Sequence, residues 1–177
     1  MGQYYMVVNT DKKEYIDPST FMEGMKLMEF ACGQYGTMSG LAVLLASSNG
    51  EGGGDLAVDS DWDDIPGRWC GDRIVIAGDY DNMEGSPGNG VYQQCTQPTA
   101  LEELLKAGGD IKTYTNISDR VIGALLCDDW FRDQFLALPE GDGMRSYVDD
   151  QQRQIWERAR PGETFPRDIN LNSHKSI

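Results

Sequence analysis

GRWCGDRIVIAGDYDN, residues 67–82, sets a short apolar run, residues 74–77, between two Gly-Asp pairs, Gly71-Asp72 and Gly78-Asp79. Ile74, Val75 and Ile76 are β-branched, so the run predicts a strand, best placed at the centre of a sheet. The flanking acids admit two readings. As turn residues, each carboxylate accepts backbone N–H groups and ends the strand. Alternatively, Asp72 and Asp79 converge with Asp55 and Asp81 on one divalent cation. Asp79 and Asp81 fall on the same side of an extended chain. A set of carboxylate oxygens suits Mg²⁺, Mn²⁺ or Ca²⁺ rather than zinc.

Working outward, residues 3–9, QYYMVVN, read as a strand and residues 14–16, EYI, as its hairpin partner across TDKK. Ser19 or Thr20 caps an expected helix over 21–31. Thr37 caps a second, over 38–47, that is apolar nearly all round, the pattern of a buried helix. On the other side of the quoted stretch, residues 91–95 read as a short strand. Thr99 and Glu102 form a capping box for a helix to 107, and 110–114 read as a strand. The strongest helical pattern opens at Asn116 or Ser118 and runs to about 138, with Val121, Ile122, Leu125, Trp130, Phe131 and Phe135 at three- and four-residue steps. A last helix is expected over 147–159, and the tail RDINLNSHKSI is expected to be loosely held. Strands and helices mix without β-α-β alternation. The fold class is therefore α+β, a small mixed or antiparallel sheet packed on helices, with a core domain over 1–138 and a helical extension and tail over 139–177.

The totals exclude several function classes. The 177 residues carry 29 acids against 15 Lys and Arg, a net charge of −14. Ten of those acids lie in residues 51–84 with only Arg68 and Arg73, a local net of −8. Such a field repels phosphate backbones, so direct nucleic-acid binding is not expected. Apolar runs are too short for a membrane span. No basic flank precedes an apolar stretch at the N-terminus, so a cytoplasmic protein with four reduced, mostly buried cysteines is expected. The single histidine, His174, lies three residues from the C-terminal end, a poor place for a rigid catalytic base. The glycines at 52–54 lack a following Gly-Lys-Ser/Thr, so no phosphate loop is read there. Asp59, Asp61 and Asp63 have the spacing of the first EF-hand ligands, but Asp64 stands where glycine is required and Cys70 where glutamate is required.

The blocks GQYYMVVNTDKKEYIDPSTF, GMKLMEF, GGGD, GRWCGDRIVIAGDYD and YTNISDRVI occur in that order. In this the chain resembles a family of bacterial and phage proteins whose members begin GQYxxVNxDKKE and carry a central GRWxGDRIxxxGDY block. The resemblance covers roughly residues 2–135. It implies a phage or mobile-element setting and no particular reaction. Cys70 stands where the family usually has a small residue.

Two activities follow as expectations. The first is a binding protein that inhibits or adapts a host protein, with nucleic-acid mimicry or an anti-defence role. Asp59, Asp61, Asp63 and Asp64 would face a basic host surface, and Trp62, set among them, would be an exposed apolar anchor. The second is a metal-dependent enzyme for a phosphate-containing small molecule, with Asp55, Asp72, Asp79 and Asp81 as ligands and a metal-bound water as nucleophile. A homo-oligomer built through residues 147–159 is a third, structural alternative.

Overall fold

The computed structural model describes residues 2–33, 35–50, 55–80, 90–96, 114–139 and 142–173. The expected helix at 99–107, residues 110–113 of the expected strand, Asp81 and His174 lie outside the described residues. Within them the chain is α+β. Strands β1 (Tyr5–Asn9), β2 (Glu14–Ile16), β3 (Ile74–Gly78) and β4 (Thr115–Asn116) form a sheet in the order β3-β1-β2-β4. β1 pairs antiparallel with β2 and with β3, and β2 pairs parallel with β4. The helices are α1 (Leu27–Ala31), α2 (Thr37–Leu45), α3 (Val91–Thr96), α4 (Ser118–Leu125), α5 (Asp129–Leu136), α6 (Asp142–Ala159) and α7 (Pro166–Ser173).

β1 is the sheet's centre because both of its faces are apolar. Val7 points with Ile16 into the main core, where Phe30, Leu44, Trp69, Val121, Ile122 and Leu126 meet it. Met6 and Val8 point the other way, onto Ala77, Val91 and Tyr114. β3, expected at the centre, is the outermost strand on its side among those described, and Ile76 is exposed.

The hairpin between β1 and β2 is organised by Asn9, which is fully buried. Its Oδ1 accepts from the N–H groups of Asp11 and Lys12. Its Nδ2 donates to Asp72 at 2.8 Å. Asp72 also faces Lys12 Nζ at 3.4 Å. At the far end of the ladder, Tyr4 N–H donates to the Asp79 carboxylate at 3.1 Å, and Asp79 N–H donates to the Tyr4 carbonyl at 2.9 Å. Each Gly-Asp pair thus fastens one end of β3 to β1. Seven residue steps of extended chain, at about 3.3 Å each, put Asp72 and Asp79 roughly 20 Å apart.

Several expected elements differ. Residues 21–31 do not form one helix. Asp17 caps a single 3₁₀ turn, Pro18–Phe21, by accepting from Ser19 N–H, and Met22 in the left-handed region (φ 62°) ends it. α1 restarts after Lys26, whose N–H donates to Glu29. Thr37 is the first residue of α2 rather than its cap, and its N–H is taken by Glu23 at 2.7 Å. Residues 91–96 are helical, not a strand, with Val91 as the buried contact. The long helix expected from 116 to 138 is two helices. Asp128 accepts from Phe131 N–H at 2.8 Å and starts α5 as an N-cap.

The C-terminal extension packs into the same core. Ile155, Trp156 and Ala159 of α6 and Phe165 beyond it belong to the main cluster. The tail is helical as far as Ser173, in α7, and its first turn is bonded to α6. Arg153 bonds Asp149 at 2.7 Å and Asp168 at 2.6 Å, and Arg167 reaches Asp149 at 2.5 Å and the Leu136 carbonyl at 2.6 Å. Both guanidinium groups lie over the Phe165 ring, at 4.5 and 4.7 Å.

Candidate interaction surface

Residues 55–66 form a turn-rich loop between α2 and the GRWCG segment. Asn49 closes its base with a pair of bonds to Leu56: the side-chain amide donates to the Leu56 carbonyl at 2.7 Å and accepts from its N–H at 3.1 Å. The other end is fixed to the C-terminus of α2. Gly67 N–H donates to the Val43 carbonyl at 2.9 Å, and Trp69 N–H donates to the Leu44 carbonyl at 2.8 Å, so the segment satisfies carbonyls that the helix end leaves open.

The five residues expected to bind a partner divide into two groups. Asp59, Asp61 and Asp63 are exposed on this loop. Asp64 is engaged within the protein, facing Arg68 and Arg120, each at 2.6 Å. Trp62 is not the exposed anchor its acidic neighbours suggested. It is half-buried against the main core, with the Arg160 guanidinium 4.4 Å above its ring. Its Nε1 occupies the space a side chain at Gly123 would need. Arg160 comes from the C-terminal end of α6 and is itself buried. It holds Glu163 at 3.1 Å, the Gly123 carbonyl at 3.2 Å and Cys127 Sγ at 2.7 Å, with Asp59 at 3.8 Å.

The expected cation ligands do not come together. Asp72 and Asp79 sit at opposite ends of β3, far outside the ~2.1–2.6 Å reach of shared coordination. Asp55 lines a separate groove beside α2, and Asp81 is outside the described residues. Among the described residues, no group of three or more His, Cys, Asp or Glu is placed to hold a metal ion. The cysteines are reduced as expected but less buried than expected. All four are free, Cys32 and Cys70 are exposed, and Cys95 and Cys127 are partly buried. Burial pushes the Cys95 thiol up to about 12. Burial raises Cys127 as well, against the pull of the Asp59 backbone and the Arg160 charge.

Glu14 is buried under the GRWCG segment. It accepts from Arg68 Nη2 at 2.6 Å, from Arg68 Nε and from Trp69 Nε1 at 2.8 Å. Burial works to raise its carboxyl, but the bonds from Arg68 and Trp69 outweigh it and hold it below the ordinary glutamate value. Two of the motif's conspicuous residues are thereby assigned to holding β2 against the loop.

The surface that sequence reasoning missed lies between α2 and α5. Ser39, Ala42, Val43 and Ala46 form one wall of a groove, Trp130 and Phe131 the other, with Leu56 and Pro66 from the two ends of the acidic loop between them. Its volume is about 440 Å³. Trp130 is 65% exposed and meets Tyr35 edge-on, ring centres 4.9 Å apart. The available signal was Asp128, a cap residue three before Phe131. It restarts the helix and turns Trp130 away from the core-facing stripe of α4.

No family model, no curated protein and no solved structure matches the chain. Among the described residues, no helix is long and apolar enough to cross a membrane.

Proposed function

We propose that this chain is a small acidic binding protein that inhibits or adapts a basic partner protein in the cytosol. The reading is supported by one arrangement. Asp59, Asp61 and Asp63 face solvent on a loop whose ends, Leu56 and Pro66, line the groove beneath an open tryptophan. Exposed like charges beside an apolar recess accelerate and orient capture of a basic surface, and the recess contributes the affinity. The resemblance to phage and mobile-element proteins makes a host protein the natural target. The apolar anchor is Trp130, in place of Trp62.

The reading is tested with an oligolysine peptide at low and physiological salt. Replacing Asp59, Asp61 and Asp63 together with Asn should weaken binding about tenfold at low salt and much less at physiological salt. The control neutralises three exposed acids elsewhere, Glu29, Asp150 and Glu157. Equal loss in both triple variants would mean that only net charge is felt, and the proposal would fall.

A further inference from the structure

Helix α2 raises a second question. Its sequence, TMSGLAVLL, is apolar almost all round, yet only Thr37, Gly40 and Leu44 are buried. Ala42 and Leu45 are exposed. A helix so apolar is normally covered on every side. The uncovered side is the wall of the groove, and the facing wall carries the exposed Trp130. An apolar trough between two helices is the form that receives the apolar face of a third.

Building on the acidic-binding reading above, we infer that this groove takes an amphipathic, Lys/Arg-rich helical segment of the partner protein. Its apolar side chains enter between α2 and α5, and its basic ones lie along the rim. Charge selects this occupant. Asp55 and Asp128 line the groove and, among the described residues, no lysine or arginine does. The loop that carries the exposed Asp59, Asp61 and Asp63 begins and ends beside Leu56 and Pro66, which line the groove. Asp133 is exposed on α5. An acidic segment would be repelled, and a second copy of this chain would bring its own net charge of −14 and the same acidic rim. The volume falls within the ~300–1,000 Å³ of ordinary ligand sites. It accommodates inserted side chains rather than a whole helix. Trp130, braced by Tyr35, is the residue type and position of a binding hot spot.

The experiment uses the full chain and three labelled peptides of equal length: an amphipathic Leu/Lys helix, a Lys/Ser peptide of the same charge, and an amphipathic Leu/Glu helix. Fluorescence anisotropy gives the affinities. The Leu/Lys peptide should bind at least about tenfold tighter than the Lys/Ser peptide, and the Leu/Glu peptide should not bind. Trp130→Ala and Ala42→Arg should each remove that margin while leaving the circular dichroism spectrum unchanged. Equal binding of the Leu/Lys and Lys/Ser peptides, insensitive to both substitutions, would overturn the groove and leave the acidic surface standing. Failure of both cationic peptides to bind at low salt would overturn the two proposals together. A concentration-dependent dimer broken by Ala42→Arg in sedimentation would assign the groove to a second copy and overturn the inference.

Discussion

Trp69 and Trp130 lie in two regions that use the same ingredients, aromatic rings and carboxylates, to opposite ends. Trp69 is fully buried, its indole N–H bonded to Glu14, and Glu14 is bonded in turn by Arg68. Trp130 stands open, with Tyr35 against its edge and carboxylates along the neighbouring rim. In the first region the acids face donors from their own chain. In the second, Asp55 and Asp128 share an open recess with the exposed indole. The lesson is that a run of acids in the sequence is not one surface. Its members divide according to which arginines the fold brings near them.

The sharpest way to break this contrast is Glu14→Gln. It leaves the Arg68 charge partly uncompensated in a buried setting and weakens the bond to Trp69. We expect a loss of about 3 kcal/mol in urea unfolding. This is the low end for such a pair, because Arg68 keeps Asp64 and retains some exposure. The pH dependence has a definite sign. The Glu14 carboxyl is depressed in the folded state, so its contribution is present above the unfolded value and is lost as pH falls through the folded one. The gap between wild type and Glu14→Gln should therefore hold from neutral pH to roughly 4.3 and close below that. A gap that widens in acid would refute the assignment.

A medium effect is expected at the glycines that bracket Trp69. Gly67 has φ +78°, and an added Cβ would lie 2.8 Å from the Ala46 carbonyl. Gly71 has φ +82°, with open space around it. Gly67→Ala should cost about 1–3 kcal/mol and Gly71→Ala about 1 kcal/mol, measured by thermal unfolding of both variants. Equal costs would show that the close approach to α2 does not matter. The smallest effect belongs to Trp130→Ala. With most of its surface in water, its removal should change stability by less than about 1 kcal/mol. A large loss of thermal stability would place Trp130 in the core and erase the distinction drawn here.

Much of the fold was legible in the sequence, and the reasons are local. β1 and β2 were readable from QYYMVVN and EYI, since aromatic and β-branched residues there fill both faces of a central strand. The α+β class followed from the order of elements. Residues 91–96 misled because Val91 and Tyr92 favour strands, whereas the packing of Val91 against Met6, Val8 and Ala77 is satisfied by one helical turn. The break at 126–128 was hidden because the apolar spacing runs straight across it. Trp62 was placed outside because its neighbours in sequence are acids. The residue that covers it, Arg160, is remote in the chain, and no local pattern announces a cation over a ring. The two Gly-Asp pairs were readable as turns, but which strand they fasten depends on Asn9 and Tyr4, again far away. The groove was illegible for the converse reason: exposure of an apolar helix is decided by what fails to pack on it.

β3 ends the sheet on its side among the described residues, and it carries an exposed Ile76. An outer strand with apolar side chains invites edge-to-edge stacking with other molecules. Arg73 and Asp72 ahead of it and Asp79 behind act as gatekeepers, placing charge at both ends of the sticky segment. The acids that pin β3 to its neighbour therefore also discourage fibre-like association, and replacing them would show first as aggregation in concentrated solution.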